Sequence, residues 1–147
     1  MIEAAQARDI DQLVELLGIL FAQEADFVPD ARRQRRALQH ILADPSVGRV
    51  YVAREAARVV GMCSLLYTVS TAEGGKAAWL EDVVVRPECR GRGIGSSLVE
   101  YALAQARAEG VLRVSVLTDV GNDRAQVLYR RAGFAPSAMR PMRLRTR

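Results

Sequence analysis

One histidine and two cysteines in 147 residues remove several kinds of chemistry at the outset. Cys63 and Cys89 are too few for a disulfide framework, and no spacing of Cys and His makes a metal site, so no metal is expected. Cys63 lies in an apolar stretch and reads as a small core residue. Cys89 sits in a loop beside Arg90, where a reactive thiol is conceivable, but no base accompanies it. His40 reads as a surface or boundary residue of a helix. With no Ser or Cys partner near it in sequence, a triad hydrolase lacks its parts. No apolar run approaches the roughly 20 residues of a membrane helix. Glu3, Asp9 and Asp11 interrupt any apolar leader, so a cytoplasmic chain with no membrane partner is expected. Aromatic residues are 5% of the total and scattered, which leaves no stacking platform for nucleic acid.

What is present is an ordinary globular mixture, 50% hydrophobic and 26% charged, enough for one domain over residues 1–147 with a real core. The net charge of +4 is unevenly spread: residues 1–85 carry −3 and residues 86–147 carry +7. A basic C-terminal half suits an anionic partner, a phosphate-bearing small molecule or a nucleic acid, or is simply a solvated arginine-rich surface. No helix-turn-helix spacing accompanies it, so no nucleic-acid partner is expected.

Met1–Ala5 suits a short strand. Asp9 then reads as a helix N-cap with Gln12 completing a variant capping box, and Ile10, Leu13, Val14, Leu17, Leu20 and Phe21 follow at helical spacing. A second helix is expected from about Asp30 to Ala43, stopped by Asp44-Pro45. Arg49–Arg54 and Val59–Thr71 read as strands joined by a hairpin turn at Glu55–Arg58, and Thr71–Lys76 as a loop. Ala77–Val85 is the next strand. A helix follows from the glycine-rich turn to Gly110, then an alternating strand Leu112–Val116, a helix Asn122–Ala132 and a closing hairpin from Gly133-Phe134. The order β-α-α-β-β-β-α-β-α-β-β is that of an α/β fold with a mixed sheet.

The most informative segment is Arg90-Gly91-Arg92-Gly93-Ile94-Gly95, between a strand and a helix. Three glycines at alternate positions leave the backbone bare to a ligand. The turn opens a helix N-terminus, where free N–H groups and the dipole favour an anion. Arg90 and Arg92 add charge, and Ser96 and Ser97 add hydroxyl donors in the first turn. The construction is a pyrophosphate cradle. A nucleotide-triphosphate loop needs Gly-Lys-Ser/Thr, and this one has no lysine. A dinucleotide fingerprint needs G-x-G-x-x-G, whereas this is G-x-G-x-G, although Asp119 lies near the place of the expected acidic residue.

The segment resembles the acetyl-CoA signature of the GNAT superfamily, Arg/Gln-x-x-Gly-x-Gly/Ala, with Arg90, Gly93 and Gly95 at its spacing. Leu80-Glu81-Asp82-Val83-Val84-Val85-Arg86-Pro87 is similar to that family's fourth strand. Asn122, Ala125, Tyr129 and Gly133-Phe134 are similar to its closing pattern. The resemblance implies a mixed, mostly antiparallel sheet flanked by helices, and an N-acetyltransferase that passes the acetyl group of acetyl-CoA, as co-substrate, to a primary amine in a ternary complex. A non-catalytic acetyl-CoA-binding regulatory domain is the alternative. It implies that the strand at Val83, Val84 and Val85 holds the pantetheine arm and polarises the thioester, and that the cradle from Gly91 to Ser97, with Arg90, holds the pyrophosphate. Asn122 either touches CoA or caps a helix. Glu81 is the implied base, with Asp82 on the opposite face by strand alternation, and Tyr129 the acid for the leaving thiolate. A small-molecule amine as acceptor and a homodimer through the C-terminal strands are further expectations. For the acceptor, Glu24, Asp26 and Asp30 suit a cationic amine, while Arg32, Arg33, Arg35 and Arg36 suit an anionic one. The strand sequence leans toward amino-sugar phosphates and aminophosphonates.

Overall fold

The computed structural model describes residues 1–24 and 26–146. Five strands form one sheet in the order β1-β2-β3-β4-β5, made of β1 (Ile2–Ala4), β2 (Gly48–Glu55), β3 (Arg58–Ser70), β4 (Gly75–Val85) and β5 (Val114–Val116). The first four pair antiparallel, and β4 pairs parallel with β5. Helices α1 (Ile10–Gln23) and α2 (Ala31–Ala43) cover one face. Helices α3 (Ile94–Ala108) and α4 (Asp123–Arg131) cover the other. The mixed, mostly antiparallel α/β architecture is the one expected.

Alternation along the strands builds two cores. Val50 and Val52 of β2 meet Leu13, Leu16, Leu17 and Leu38 on one side. Tyr51 and Ala53 meet Leu98, Val99 and Ala102 on the other. In β4 this parity breaks: Leu80 packs toward α3, yet Val84 packs toward α1. The cause is a bulge. Ser64 pairs with Glu81 and Met62 with Val84, so Asp82 and Val83 together oppose the single residue Cys63. Asp82 takes φ 55°, a left-handed conformation that costs a non-glycine residue of order 1 kcal/mol or more.

Three local expectations are corrected. Asp9 stands at the N-cap position of α1, but its carboxylate does not cap that helix. It turns back to accept from the Gln6 N–H (2.8 Å) and from both terminal nitrogens of Arg54 (3.0 Å each). Gln12 likewise reaches across to the β2–β3 hairpin, accepting from Val59 N–H at 2.8 Å. The closing hairpin does not form: residues 134–146 contain no strand. Pro136 and Pro141 lack the N–H a ladder needs, Met139, Met142 and Leu144 stand exposed, and β5 offers an edge of only three residues. Cys89, finally, is 5% exposed and packs in the core, so it is no reactive surface thiol.

Asp9 (2% exposed) and Arg54 tie the start of α1 to β2, with Glu3 as a third member at 2.7 Å from Arg54. Burial alone would raise the Asp9 pKa, but the Arg54 and Gln6 hydrogen bonds overcome it and hold the carboxyl below its ordinary value. A depressed folded-state pKa means that the pair stabilises the fold above the unfolded-state value and that this contribution is lost as pH falls through the folded value. Asp9→Asn is expected to cost about 3 kcal/mol at neutral pH, because it leaves a buried guanidinium short of charge. Thermal unfolding at pH 7 and at pH 3 checks this: the variant's deficit should shrink at the lower pH.

Candidate functional site

β4 and β5 stay paired over three residues only, Ala78–Leu80 against Val114–Val116, and then part. From Asp82 to Val85 the edge of β4 that faced β5 has no strand beside it, and a cleft of about 700 Å³ opens there. Its floor is Val83, Val84 and Val85; one wall is the turn before α3 and the other is α4. A polar, extended chain laid along this free edge would be held like an added strand.

The turn explains its own glycines. Gly91 and Gly93 both have φ 79°, the left-handed region, so a side chain at either would be strained. Gly93 is the N-cap of α3, and the first N–H to close an intrahelical bond onto its carbonyl is Ser97, which leaves the amides of Ile94, Gly95 and Ser96 free. Those residues line the cleft with Gly91 and Gly93. Gly95 has a different reason: a Cβ there would lie 3.2 Å from Leu128 Cδ1 of α4, a tight contact that the leucine would have to yield to. Arg90 donates through Nε to the Val85 carbonyl at 3.0 Å, which fixes its guanidinium at the lip.

Arg124 and Arg131 on α4 also line the cleft. Neither was singled out in the sequence, although their spacing of seven puts them on one helix face. Arg92 and Ser97 lie elsewhere: both line a smaller neighbouring cavity, and Arg92 is ion-paired with Glu55. Asn122 both caps α4, accepting from Ala125 N–H at 3.1 Å, and lines the cleft. The bare turn, the free amides, three arginines and the open strand edge fit an elongated ligand with an amide arm and a pyrophosphate, which is the shape of acetyl-CoA.

A second cavity of about 230 Å³ adjoins the first, sharing Leu20, Gln23, Val83, Asn122, Ala125 and Tyr129 with it. Tyr129 is 9% exposed and stacks edge-on against Phe134 at 5.7 Å between centroids. Burial, with smaller contributions from Cys63, Glu24 and Asp82, pushes its pKa up to about 12, so the phenol keeps its proton at physiological pH.

Glu81 and Asp82 both line this second cavity. Strand alternation predicted opposite faces for them, and the register keeps Glu81 against Ser64 and Asp82 beside Cys63; the cavity takes in both because it runs along Leu80 to Val83. Burial first, then the neighbouring Glu81 and Glu24 carboxylates, raise the Asp82 pKa to about 7. Glu81 is raised by burial, against a lowering effect of Arg143. Periodicity could not find the raised pKa of Asp82, which depends on its burial and on Glu24, brought near by α1. Asp30 and the four arginines of α2 take no part: Asp30 caps α2, accepting from Arg33 N–H, Arg35 pairs with Asp11, and none of them lines either cavity.

The sequence model of the acetyltransferase (GNAT) family matches residues 12–134. An amino-acid acetyltransferase of Pseudomonas putida is 32% identical over 139 residues, which is 95% of this chain and 28% of that protein. The chain thus spans less than a third of that relative's length. An aminoalkylphosphonate N-acetyltransferase of Salmonella typhimurium is 29% identical over 92% of this chain and 85% of its own length. Among solved structures, an integron cassette protein from the mobile metagenome of Cole Harbour salt marsh superposes with a TM-score of 0.86 at 27% identity, covering 99% of this chain and 90% of that one. With the family's sequence pattern running through nearly the whole chain and its fold reproduced, this protein belongs to the GNAT family of acetyltransferases.

Proposed function

We propose that the protein transfers the acetyl group of acetyl-CoA to a primary amine by direct attack within a ternary complex. The observation that carries this reading is the junction of two cavities, one built for a pyrophosphate-bearing arm and one lined by carboxylates, with Tyr129 in both. The names of the relatives add that small amines are acceptors in this family.

Acetyl-CoA supplies an activated thioester; the protein's residues do the rest. The amides at 94–96, with Arg90, Arg124 and Arg131, hold the pyrophosphate, and the free edge of β4 holds the pantetheine. A backbone N–H at Val83 or Val84 donates to the thioester oxygen as negative charge develops on it. The Glu81–Asp82 pair removes the proton from the incoming ammonium, directly or through water, and frees the nitrogen lone pair to attack the carbonyl carbon. A carboxyl near 7 is well matched to that task, and the two groups titrate as a pair. As the C–S bond breaks, its electron pair stays on sulfur and Tyr129 supplies the proton.

Two further readings go with this one. A homodimer forms along the free edge of β5 and the tail beyond α4, where Leu117, Val120, Met139, Met142 and Leu144 are exposed; light scattering that shows a monomer at working concentration would remove it. The reaction is placed in the cytoplasm, and among the described residues no helix is long and apolar enough to cross a membrane.

Tyr129→Phe is expected to lower kcat for amine-dependent thiol release by roughly a hundredfold, with acetyl-CoA binding by calorimetry unchanged. Gly93→Val should do the reverse, weakening acetyl-CoA binding by about tenfold through left-handed strain. For the parent protein, kcat/KM expressed for the ammonium form of the acceptor should climb as the acid pair deprotonates, with an apparent pKa near 7. Asp82→Asn should remove that inflection. A profile identical in the two proteins would take Asp82 out of the proton pathway.

A further inference from the structure

The two adjoining cavities have opposite charge. Arg90, Arg124 and Arg131 line the larger one, whereas Glu24, Asp26, Glu81, Asp82 and Asp119 line the smaller. Four of these five carboxylates have no hydrogen-bond or ion-pair partner among the described residues. Their repulsion is visible in Glu24, whose pKa is raised first by burial and then by Asp119, Glu81 and Asp26. The fifth, Asp26, is occupied. Arg143, from the tail beyond α4, reaches back to it at 2.5 Å, its guanidinium 5.2 Å above the Phe27 ring, and Arg145 donates to the Asp26 carbonyl at 2.8 Å. Phe27 is itself braced by Phe21 at 5.5 Å between centroids. The chain's own arginine therefore marks a cation subsite at the surface end of the cavity lining, an exposed carboxylate beside an aromatic face.

We infer that the acceptor is an aliphatic di- or polyamine: one amino group reacts beside Glu81 and Asp82, and a second, charged one takes the place on Asp26 and Phe27 that Arg143 holds. This rests on the acetyltransferase reading and narrows it. Leu20, Leu80 and Leu117 among the lining residues suit a methylene chain, and a volume of about 230 Å³ suits a slender one. The relatives' names speak of amino acids and aminoalkylphosphonates, amines that carry an anionic group. Such a group would meet four unpaired carboxylates here and a single arginine already engaged. Arg143 competes with the second ammonium, so its removal favours the substrate.

The test uses spermidine as probe on the full chain saturated with CoA, read by calorimetry, together with thiol release from acetyl-CoA. Spermidine should bind, and more weakly as salt rises. Asp26→Asn should weaken binding roughly fivefold, and Arg143→Ala should tighten it by a similar factor. In turnover, kcat/KM for a diamine should exceed that for an amino alcohol of equal length by at least about tenfold, and phosphorylated amines and amino acids should be poorer still. Thiol release with aminoalkylphosphonates or amino acids but no spermidine binding would overturn the inference and leave acetyl transfer standing. Spermidine binding that responds to both variants, without thiol release from any amine, would uphold the cation site and sink the transfer reading instead. Spermidine binding indifferent to Asp26 and Arg143 would overturn the proposed subsite.

Discussion

The site depends on one departure from regular sheet geometry, the parting of β4 from β5 after Leu80. Two parallel strands that stayed paired would leave no free backbone, and the cleft would be closed by the sheet's own hydrogen bonds. The bulge at Asp82–Val83 lies just beyond the last paired residue, increases local twist and turns β4 away. Glu81 and Asp82, where the strand parts from β5, both line the smaller cavity. The open edge and the acid pair thus come from the same few residues.

The geometry is held at a cost to stability. Asp82 sits in a left-handed conformation, and its pKa is raised from the unfolded-state value to about 7. A raised carboxyl favours the fold only while protonated; that contribution is complete below the unfolded-state pKa and is lost as pH rises toward 7. At neutral pH the site therefore works against folding by a few kcal/mol. The two cores on either side of the sheet and the Asp9–Arg54 pair offset it. Strain concentrated at a reacting centre and balanced elsewhere is a common arrangement in enzymes.

Charge is sorted by tertiary structure rather than by sequence. The basic C-terminal half supplies the three arginines of the larger cleft, but the same half also supplies Asp119 and Arg143 to the acidic cavity. The acidic N-terminal half places Glu24 and Asp26 against residues more than 50 positions away. Neither cavity corresponds to a segment. The arginine cluster of α2, the strongest local charge signal outside the turn, faces solvent and the Asp11 side chain instead.

The sequence by itself determined most of the elements, the glycine-rich turn and the family, because each is written in local spacing: helical and strand periods, glycines before a helix, and an arginine three residues ahead of Gly93. It also pointed to Tyr129, whose place on α4 follows from helix geometry. Only the tertiary structure decided that β4 switches faces between Leu80 and Val84, since a bulge depends on how β3 and β4 pair and not on either strand alone. Only it showed that the final hairpin is absent, because strand formation at an edge depends on a partner, and three-residue β5 offers too little. The sign of the acceptor cavity was likewise undecidable from a list of charges. It came from which carboxylates α1, β4 and the chain after β5 bring within reach of one another, and from the single arginine that the tail returns to them.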